Sequence, residues 1–129
     1  MDLTYVIKGD VSIESIGALR KSVGWNKMMD YHEKSLQNSY LYICCYENDK
    51  LIGFLDVISN GSSDAYIQDV MVSPQYQCKG IGTTLMNIAI ENLKKDKIYA
   101  ISVLYDERLI NFYKKFSFNI MYAGQIITE

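Results

Sequence analysis

Along this chain the spacing of apolar residues switches between two and three-to-four, and each switch marks an element. Residues 3–9, "LTYVIKG", alternate like a strand and stop at Gly9. Residues 12–23 read as a helix: Ile13, Ile16, Leu19 and Val23 fall on one face, and Ser12 with Ser15 three positions on forms a weak capping box. Residues 26–39 are predicted as a second, more polar helix with Asn26 as its cap. Two apolar runs, 40–48 and 50–59, meet at Asn48–Asp49 and read as a hairpin. A turn over 60–64 leads to a strand over 65–72 that Pro74 ends. The clearest helical period follows, in Ile81, Leu85, Ile88, Ala89 and Leu93. Residues 97–105 read as a strand, 107–116 as a short helix with Asp106 at its N-cap, and 118–128 as strand, turn at Gly124, and strand. The order predicts an α/β (α+β) layer fold. In it an antiparallel meander is joined to a parallel strand pair by a helical crossover.

The 129 residues and 49% hydrophobic content suit one domain, residues 1–129, with its own core. A net charge of −2 argues against a sequence-independent nucleic-acid binder, which needs a basic surface. No run approaches the roughly 20 apolar residues of a membrane span, and residues 1–10 lack the pattern of a secretory signal. Three cysteines, two of them adjacent (Cys44, Cys45 and Cys78), do not suggest a disulfide framework and point to a reducing, cytoplasmic setting. His32 is the single histidine, so no zinc site is expected, and its polar helix suggests a surface position. Trp25, Tyr31, Tyr40 and Tyr42 read first as core residues, with the lining of an amine pocket as the alternative. Lys94, Lys95 and Lys97 read as a solvated helix end.

The informative stretch is "SPQYQCKGIG", residues 73–82. It puts two glycines at the start of the best helix, where Gly lowers helix propensity by about 1 kcal/mol. A helix N-terminus offers unpaired N–H groups and partial positive charge, which suit a phosphate. Amides from Gln77 through Cys78, Lys79, Gly80 and Ile81 to Gly82 are therefore candidates to wrap a diphosphate, with Lys79 adding charge. The alternative is that Gly80 and Gly82 serve only close helix–sheet packing. Neither the Walker pattern nor G-x-G-x-x-G is present, since Leu85 takes the third glycine position.

What the stretch does resemble is the GNAT superfamily of acyl-CoA-dependent N-acetyltransferases, on Val70, Val72, Pro74, Gln77, Gly80 and Gly82. A second match is Phe112–Tyr113 followed by Ser117–Phe118, with Ser117 where the family usually has glycine. Residues 23–25, 36–42, 66–82 and the Asp106-to-Tyr113 spacing look most like plant serotonin N-acetyltransferase-like enzymes and their bacterial relatives. The resemblance implies a central twisted, mostly antiparallel sheet with helices on both faces, its parallel strand pair splayed where acetyl-CoA binds. It implies that the backbone of Val70, Met71 and Val72 pairs with the pantetheine arm. A bulge near there would make room for the thioester, and the amide of Val70 or a neighbour would face the oxyanion. Asp106 stands where many members carry Asn. Tyr113 is implied as the group facing the thioester sulfur.

Ideal alternation puts Ala65, Ile67, Asp69 and Met71 on one face and Tyr66, Gln68, Val70 and Val72 on the other. Asp69 then interrupts an apolar face, as a catalytic base or as a buried acid holding a bulge. Tyr66 and Gln68 are the alternatives to it, acting through an ordered water. The expected function is direct acetyl transfer from acetyl-CoA to a small primary amine, an arylalkylamine or a polyamine, with no nucleic-acid or membrane partner and with a homodimer kept open. The rivals are a protein N-terminal or lysine acetyltransferase, and a non-catalytic acyl-CoA sensor.

Overall fold

The computed structural model describes all 129 residues. Its centre is a five-stranded sheet in the order β1-β2-β3-β4-β5. The strands are β1 (Leu3–Ile7), β2 (Leu41–Glu47), β3 (Lys50–Ser59), β4 (Asp64–Val72) and β5 (Ala100–Val103). The first four are antiparallel and β5 runs parallel to β4. The helices are α1 (Ile13–Ser22), α2 (His32–Asn38), α3 (Ile81–Lys95) and α4 (Ile110–Lys114).

Local chemistry explains most of the boundaries. The Ser12 side chain caps α1, accepting from the Ser15 N–H at 3.1 Å. Asn48 turns the β2–β3 hairpin at φ 52°, a conformation Asn tolerates. In the β3–β4 turn, Asn60 Oδ1 accepts from the N–H groups of Ser62 and Ser63 at 2.9 and 3.0 Å.

Each face of the sheet carries its own apolar cluster. On one face, α3 contributes Ile81, Leu85, Met86, Ala89 and Leu93, which meet Ile43, Ile52, Leu55, Val57 and Ile67; Tyr113 of α4 joins them. On the other face, Ile16 and Leu19 of α1 meet Cys44, Leu51, Phe54 and Met71. Burial of such side chains is the main stabilising contribution, roughly 1.5–3 kcal/mol each.

Several expectations need correction. The predicted helix over 26–39 forms only from His32 to Asn38, because Met28 sits at φ 54° and the chain from Val23 to Tyr31 is turn and loop. The strand over 97–105 shortens to Ala100–Val103, since Lys97 is at φ 60° and pairing with β4 ends at Val103. Residues 107–116 form a 3₁₀ turn (Glu107–Leu109) and then α4. Residues 118–129 form no strand and no turn at Gly124; they have no regular secondary structure and no pairing partner.

The correction that matters most is in β4. Asp56 pairs with Gln68, but Phe54 pairs with Met71, so Asp69 and Val70 together face Leu55 alone. This is a β-bulge. Its first residue, Asp69, has φ 55°, a conformation that a short polar side chain tolerates better than most. The extra residue reverses the alternation beyond it. Val70 and Val72 join Ile67 on the α3 face, whereas Met71 is buried against α1. Asp69 therefore does not lie on the apolar face with Ala65 and Ile67. It points toward α1, where Arg20 Nη1 pairs with its Oδ1 at 3.2 Å.

The bulge makes a stability prediction that separates backbone from charge. Asp69→Asn loses the ion pair but keeps a residue at ease at positive φ, whereas Asp69→Val loses both. In urea unfolding, Asp69→Val is expected to be the less stable variant by about 1–2 kcal/mol; equal midpoints would show that the left-handed residue carries no constraint.

Candidate active site

β4 and β5 pair only from Asp64↔Ala100 to Ile67↔Val103. Beyond the bulge, β4 has no neighbour on its β5 side, and the sheet opens. The direction of the free backbone groups follows from one hydrogen bond: the Ser73 N–H donates to Ile52 O on β3 at 2.8 Å. By alternation Met71 also faces β3, so the N–H groups of Val70 and Val72 face the gap. The Val72 carbonyl, on the same side, accepts from Gln77 Nε2 at 2.9 Å. Gln77 thus ties the loop before α3 to the open edge. Met71 stands apart from the other predicted site residues: both its side chain and its backbone groups point away from the gap.

The loop itself is built of unpartnered donors. From Cys78 to Thr83 no backbone N–H finds an acceptor within the protein. Cys78 and Gly80 lie at φ 61° and 85°, and Gly80 caps α3 in the left-handed region. A Cβ on Gly80 would meet no atom within 4 Å, so the space before the helix end is open. Gly82 has the other role considered for these glycines. A Cβ there would lie 3.3 Å from Phe112 Cζ and 3.7 Å from Val72 Cγ2, so its absence lets α4 sit against the start of α3. Lys115 Nζ reinforces that contact by donating to Thr83 Oγ1 at 2.8 Å. Cys78 and Lys79 are exposed, and the Ile81 side chain is buried in the core, leaving only its N–H for a ligand.

The packing of Phe112 on Gly82 sets the place of Tyr113. Its ring is 5% exposed, stacked on Tyr105 at 4.4 Å and edge-on to Phe112 at 4.9 Å. It belongs to the cluster against which Val70 and Val72 pack. Burial pushes the Tyr113 phenol up to about 12, with Tyr66 and Tyr105 adding to the rise. The phenol therefore keeps its proton at neutral pH. Its hydroxyl makes no hydrogen bond in the protein, yet no buried side-chain polar atom is left unpaired, so this oxygen is open to solvent. Asp106 is placed differently: its Oδ1 caps the turn before α4, accepting from the Arg108 N–H at 3.0 Å.

On the opposite face a cleft of about 560 Å³ reaches the bulge, lined by Asp30, Tyr31, Lys34, Ser39, Gln68 and Asp69 among others. A cleft of similar size, about 570 Å³, lies between α1 and the β2–β3 turn and contains none of the candidate residues. The chemistry favours the former. His32, expected at the surface, is buried beside it, its Nε2 hydrogen-bonded to Lys27 O at 2.6 Å. Trp25 and Tyr31, read first as core, are 40% and 56% exposed, while Tyr40 and Tyr42 are half-buried. Arg20 lies over the Trp25 ring and its Nε donates to Asn26 O at 2.5 Å, so the guanidinium reaches Asp69 already held.

Sequence reading passed over Asp56. It is 3% exposed and accepts from Ser39 Oγ and from Gln68 Nε2. Burial raises its carboxyl above the ordinary range, nearby Asp69 adds to the rise, and the hydrogen bonds from Ser39 and Gln68 oppose it. The signal was present: Asp56 is the one acid inside the apolar run "LIGFLDVIS".

With this geometry in place, comparison with known proteins is decisive for the family. The model of the acetyltransferase (GNAT) family matches residues 12–118, and the chain belongs to that family. It is 33% identical over 113 residues to the uncharacterized N-acetyltransferase ycf52 of Gracilaria tenuistipitata var. liui, covering 84% of this chain and 62% of that protein. It is 30% identical over 122 residues to the histone acetyltransferase TAP1 of Glycine max, covering 85% of this chain and 53% of that protein. The chain thus spans between half and two thirds of the length of these relatives. Among solved structures, the GNAT-family acetyltransferase SP0256 of Streptococcus pneumoniae superposes with a TM-score of 0.83 at 28% identity, covering 99% of this chain and 98% of that one. The mixed sheet with helices on both faces, expected from the sequence, is that of these GNAT-fold neighbours.

Asp56 supplies a pH test. Because its carboxyl is raised in the folded state, its contribution to stability is full below the unfolded value near 4 and is lost as pH rises through the folded value. The melting temperature of the native chain is therefore expected to fall relative to that of Asp56→Asn as pH climbs from about 4 toward neutrality. A difference that grows in the opposite direction would contradict the raised carboxyl.

Proposed function

We propose that this chain is an acetyl-CoA-dependent N-acetyltransferase that acts on a small, polar primary amine. The observation that carries the proposal is the run of unpartnered amides from Cys78 to Thr83, placed beside the free Val70 and Val72 edge of an opened sheet.

These groups fit the cofactor. The amides from Cys78 to Gly82 and the Lys79 charge would hold its diphosphate, while the Gln77 N–H is already given to Pro74 O at 3.4 Å; Val70 and Val72 would pair with its pantetheine arm as an added strand. Acetyl-CoA, when bound, supplies an acetyl group activated as a thioester. Tyr113 keeps its proton in an apolar setting and presents it as the donor for the departing sulfur. The Val70 N–H, aimed into the gap, is the donor for the developing oxyanion.

The acceptor enters from the other face, through the cleft at the bulge. A pocket of about 560 Å³ is the size of a small-molecule site, and its lining of Asp30, Lys34, Ser39, Gln68 and the Arg20–Asp69 pair suits an acceptor that carries polar groups. This lining favours a polyamine-like acceptor over a purely aromatic one, and a small molecule over a protein segment. Asp69 is tied to Arg20, so its role in this reading is to hold the bulge and line the acceptor cleft. A water ordered by Tyr66 and Gln68 takes the proton from the amine.

Cys44 and Cys45 are buried and unpaired, and the Cys78 thiol is exposed and free. Burial pushes the Cys44 thiol up to about 11, so it is chemically quiet. Three unpaired thiols fit a reducing compartment such as the cytoplasm. No helix is long and apolar enough to cross a membrane.

The test is release of free thiol from acetyl-CoA across a panel of amines and peptides, comparing the native chain with Tyr113→Phe. Amine-dependent release, with kcat reduced roughly a hundredfold in Tyr113→Phe and little change in cofactor affinity, is expected. Equal turnover in both proteins would remove Tyr113 from the reaction. Tight cofactor binding without release on any acceptor would overturn the enzyme reading in favour of a sensor.

A further inference from the structure

Asp56 is the one buried acid of the chain, set in the second half of β3. A carboxyl in such a place needs both oxygens matched. Gln68 lies directly across from it on β4 and donates Nε2–H to Asp56 Oδ2 at 2.9 Å. Ser39, just past the end of α2, donates its hydroxyl to Oδ1. Asp56 itself does not reach the cleft at the bulge, whereas Gln68 and Ser39 both line it.

The Gln68 amide has two ends, and only one is used inside the protein. Its Oε1 makes no hydrogen bond, yet no buried side-chain polar atom is left unpaired, so Oε1 opens to the cleft. With the carboxyl ionised, the reverse orientation would set Oε1 against Oδ2, two acceptors with no proton between them. Ser39 keeps the observed orientation available when the carboxyl is protonated. Its single hydroxyl proton has three acceptors in reach: Asp56 Oδ1, Leu41 O at 2.8 Å and Val57 O at 3.3 Å. With Asp56 ionised, that proton goes to Oδ1. With a proton on Oδ1, the carboxyl donates to Ser39 Oγ and Ser39 turns to Leu41 O. Oδ2 accepts from Gln68 in both states.

We propose that Asp56 is a positioning residue for acetyl transfer: it holds Gln68 with its carbonyl toward the cleft, and so sets the direction in which a water there takes a proton. This rests on the reading that the amine enters at the bulge and gives its proton to a water ordered by Gln68 and Tyr66. A polar cleft of about 560 Å³ has room for that water. The water takes the ammonium proton on a lone pair, and the proton leaves through the open cleft to solvent. The nitrogen keeps the electron pair of the broken N–H bond and becomes the nucleophile. Gln68 Oε1 accepts one O–H of the water, which leaves a lone pair free for the ammonium. A Gln68 that presented Nε2–H would occupy that lone pair instead. The other titratable and charged groups around Asp56 are engaged elsewhere or stand in the cleft wall. Tyr42, its cross-strand partner on β2, donates to Gly9 O at 2.7 Å. Asp69 is paired with Arg20 of α1, and His32 and Lys34 come from α2. None of these is hydrogen-bonded to Gln68.

The experiment is thiol release from acetyl-CoA by the full chain, Asp56→Leu and Asp56→Asn over a range of pH. Spermidine, tyramine and a lysine-containing peptide serve as acceptors, and the fastest is used at saturation. Leu removes the group that holds Nε2. Asn keeps one: its Oδ1 accepts from Gln68, and its Nδ2 donates to Ser39. The expected result is a kcat for Asp56→Leu reduced roughly tenfold near neutral pH, with the KM for acetyl-CoA unchanged. The deficit narrows as pH rises toward the amine's own pKa, where solvent supplies the neutral amine. Asp56→Asn is expected to recover most of the loss. A deficit constant with pH, an Asn variant as impaired as Leu, or native kcat in Asp56→Leu would overturn the assignment. Should Asp56→Leu not fold, Gln68→Met removes Oε1 from the half-buried cleft wall; the same narrowing deficit is expected, and native turnover would overturn the assignment. These outcomes leave acetyl transfer standing. A native chain that releases no thiol with any amine would overturn that reading, and this assignment with it.

Discussion

One residue out of register governs this structure. Asp69, at φ 55° within β4, inserts an extra position between the pairs Asp56↔Gln68 and Phe54↔Met71. Before it, β4 is an ordinary inner strand, paired on both sides. After it, the strand keeps β3 but has no partner on the β5 side, and its side chains have exchanged faces. The free N–H groups of Val70 and Val72, the burial of Met71 under α1 and the position of Asp69 in the lining of the neighbouring cleft all follow from that insertion. Arg20 fixes it from outside the sheet, and Arg20 is itself held by Trp25 and the Asn26 carbonyl.

A second constraint couples the opened edge to the proposed proton donor. A Cβ at Gly82 would lie 3.3 Å from Phe112 and 3.7 Å from Val72, so the start of α3, the end of β4 and α4 meet closely at this glycine. Phe112 occupies that point, and its neighbour Tyr113 is thereby set into the apolar cluster. The amides ahead of Gly82 and in the first turn of α3 have no acceptor within the protein. The loop thus combines strained, open backbone at Cys78 and Gly80 with a tightly packed glycine at Gly82. Of the two readings of these glycines, close packing describes Gly82, while Gly80 leaves the open space that the proposed anion cradle requires.

How much of this was legible in the sequence depended on whether the determining interactions were local. The strands over 41–59, the long helix from Ile81 and the caps at Ser12 and Asp106 were readable because period and capping act within a few residues. The loop over Gln77–Gly82 was readable because glycine at a helix start is a local anomaly. The bulge was not readable from alternation: Asp69 fits a period-two pattern as well as its neighbours do, and the partner of its side chain, Arg20, lies 49 positions earlier in the chain. The short α2 was missed for a related reason, since the loop before it is tied to α1 by Arg20, whose carbonyl accepts from the Trp25 N–H and whose Nε donates to Asn26 O. His32 and Asp56 were misplaced or overlooked because burial of a polar side chain depends on partners, Lys27 O for one and Ser39 with Gln68 for the other, that no periodicity reveals. The tail over 118–128 was read as strand from its apolar composition; a strand needs a partner, and within one copy it has none.

The central claim is that the bulge opens β4 so that the cofactor lies along Val70–Val72 and ends on the loop before α3. The most direct measurement is a titration of the uniformly ¹⁵N-labelled chain with CoA, following every backbone amide. The account predicts that the largest shifts fall on Val70, Val72 and the amides from Cys78 to Gly82, with Met71, which faces β3, moving far less than its two neighbours. Shifts centred anywhere else, or a Met71 that moves with Val70 and Val72, would contradict it.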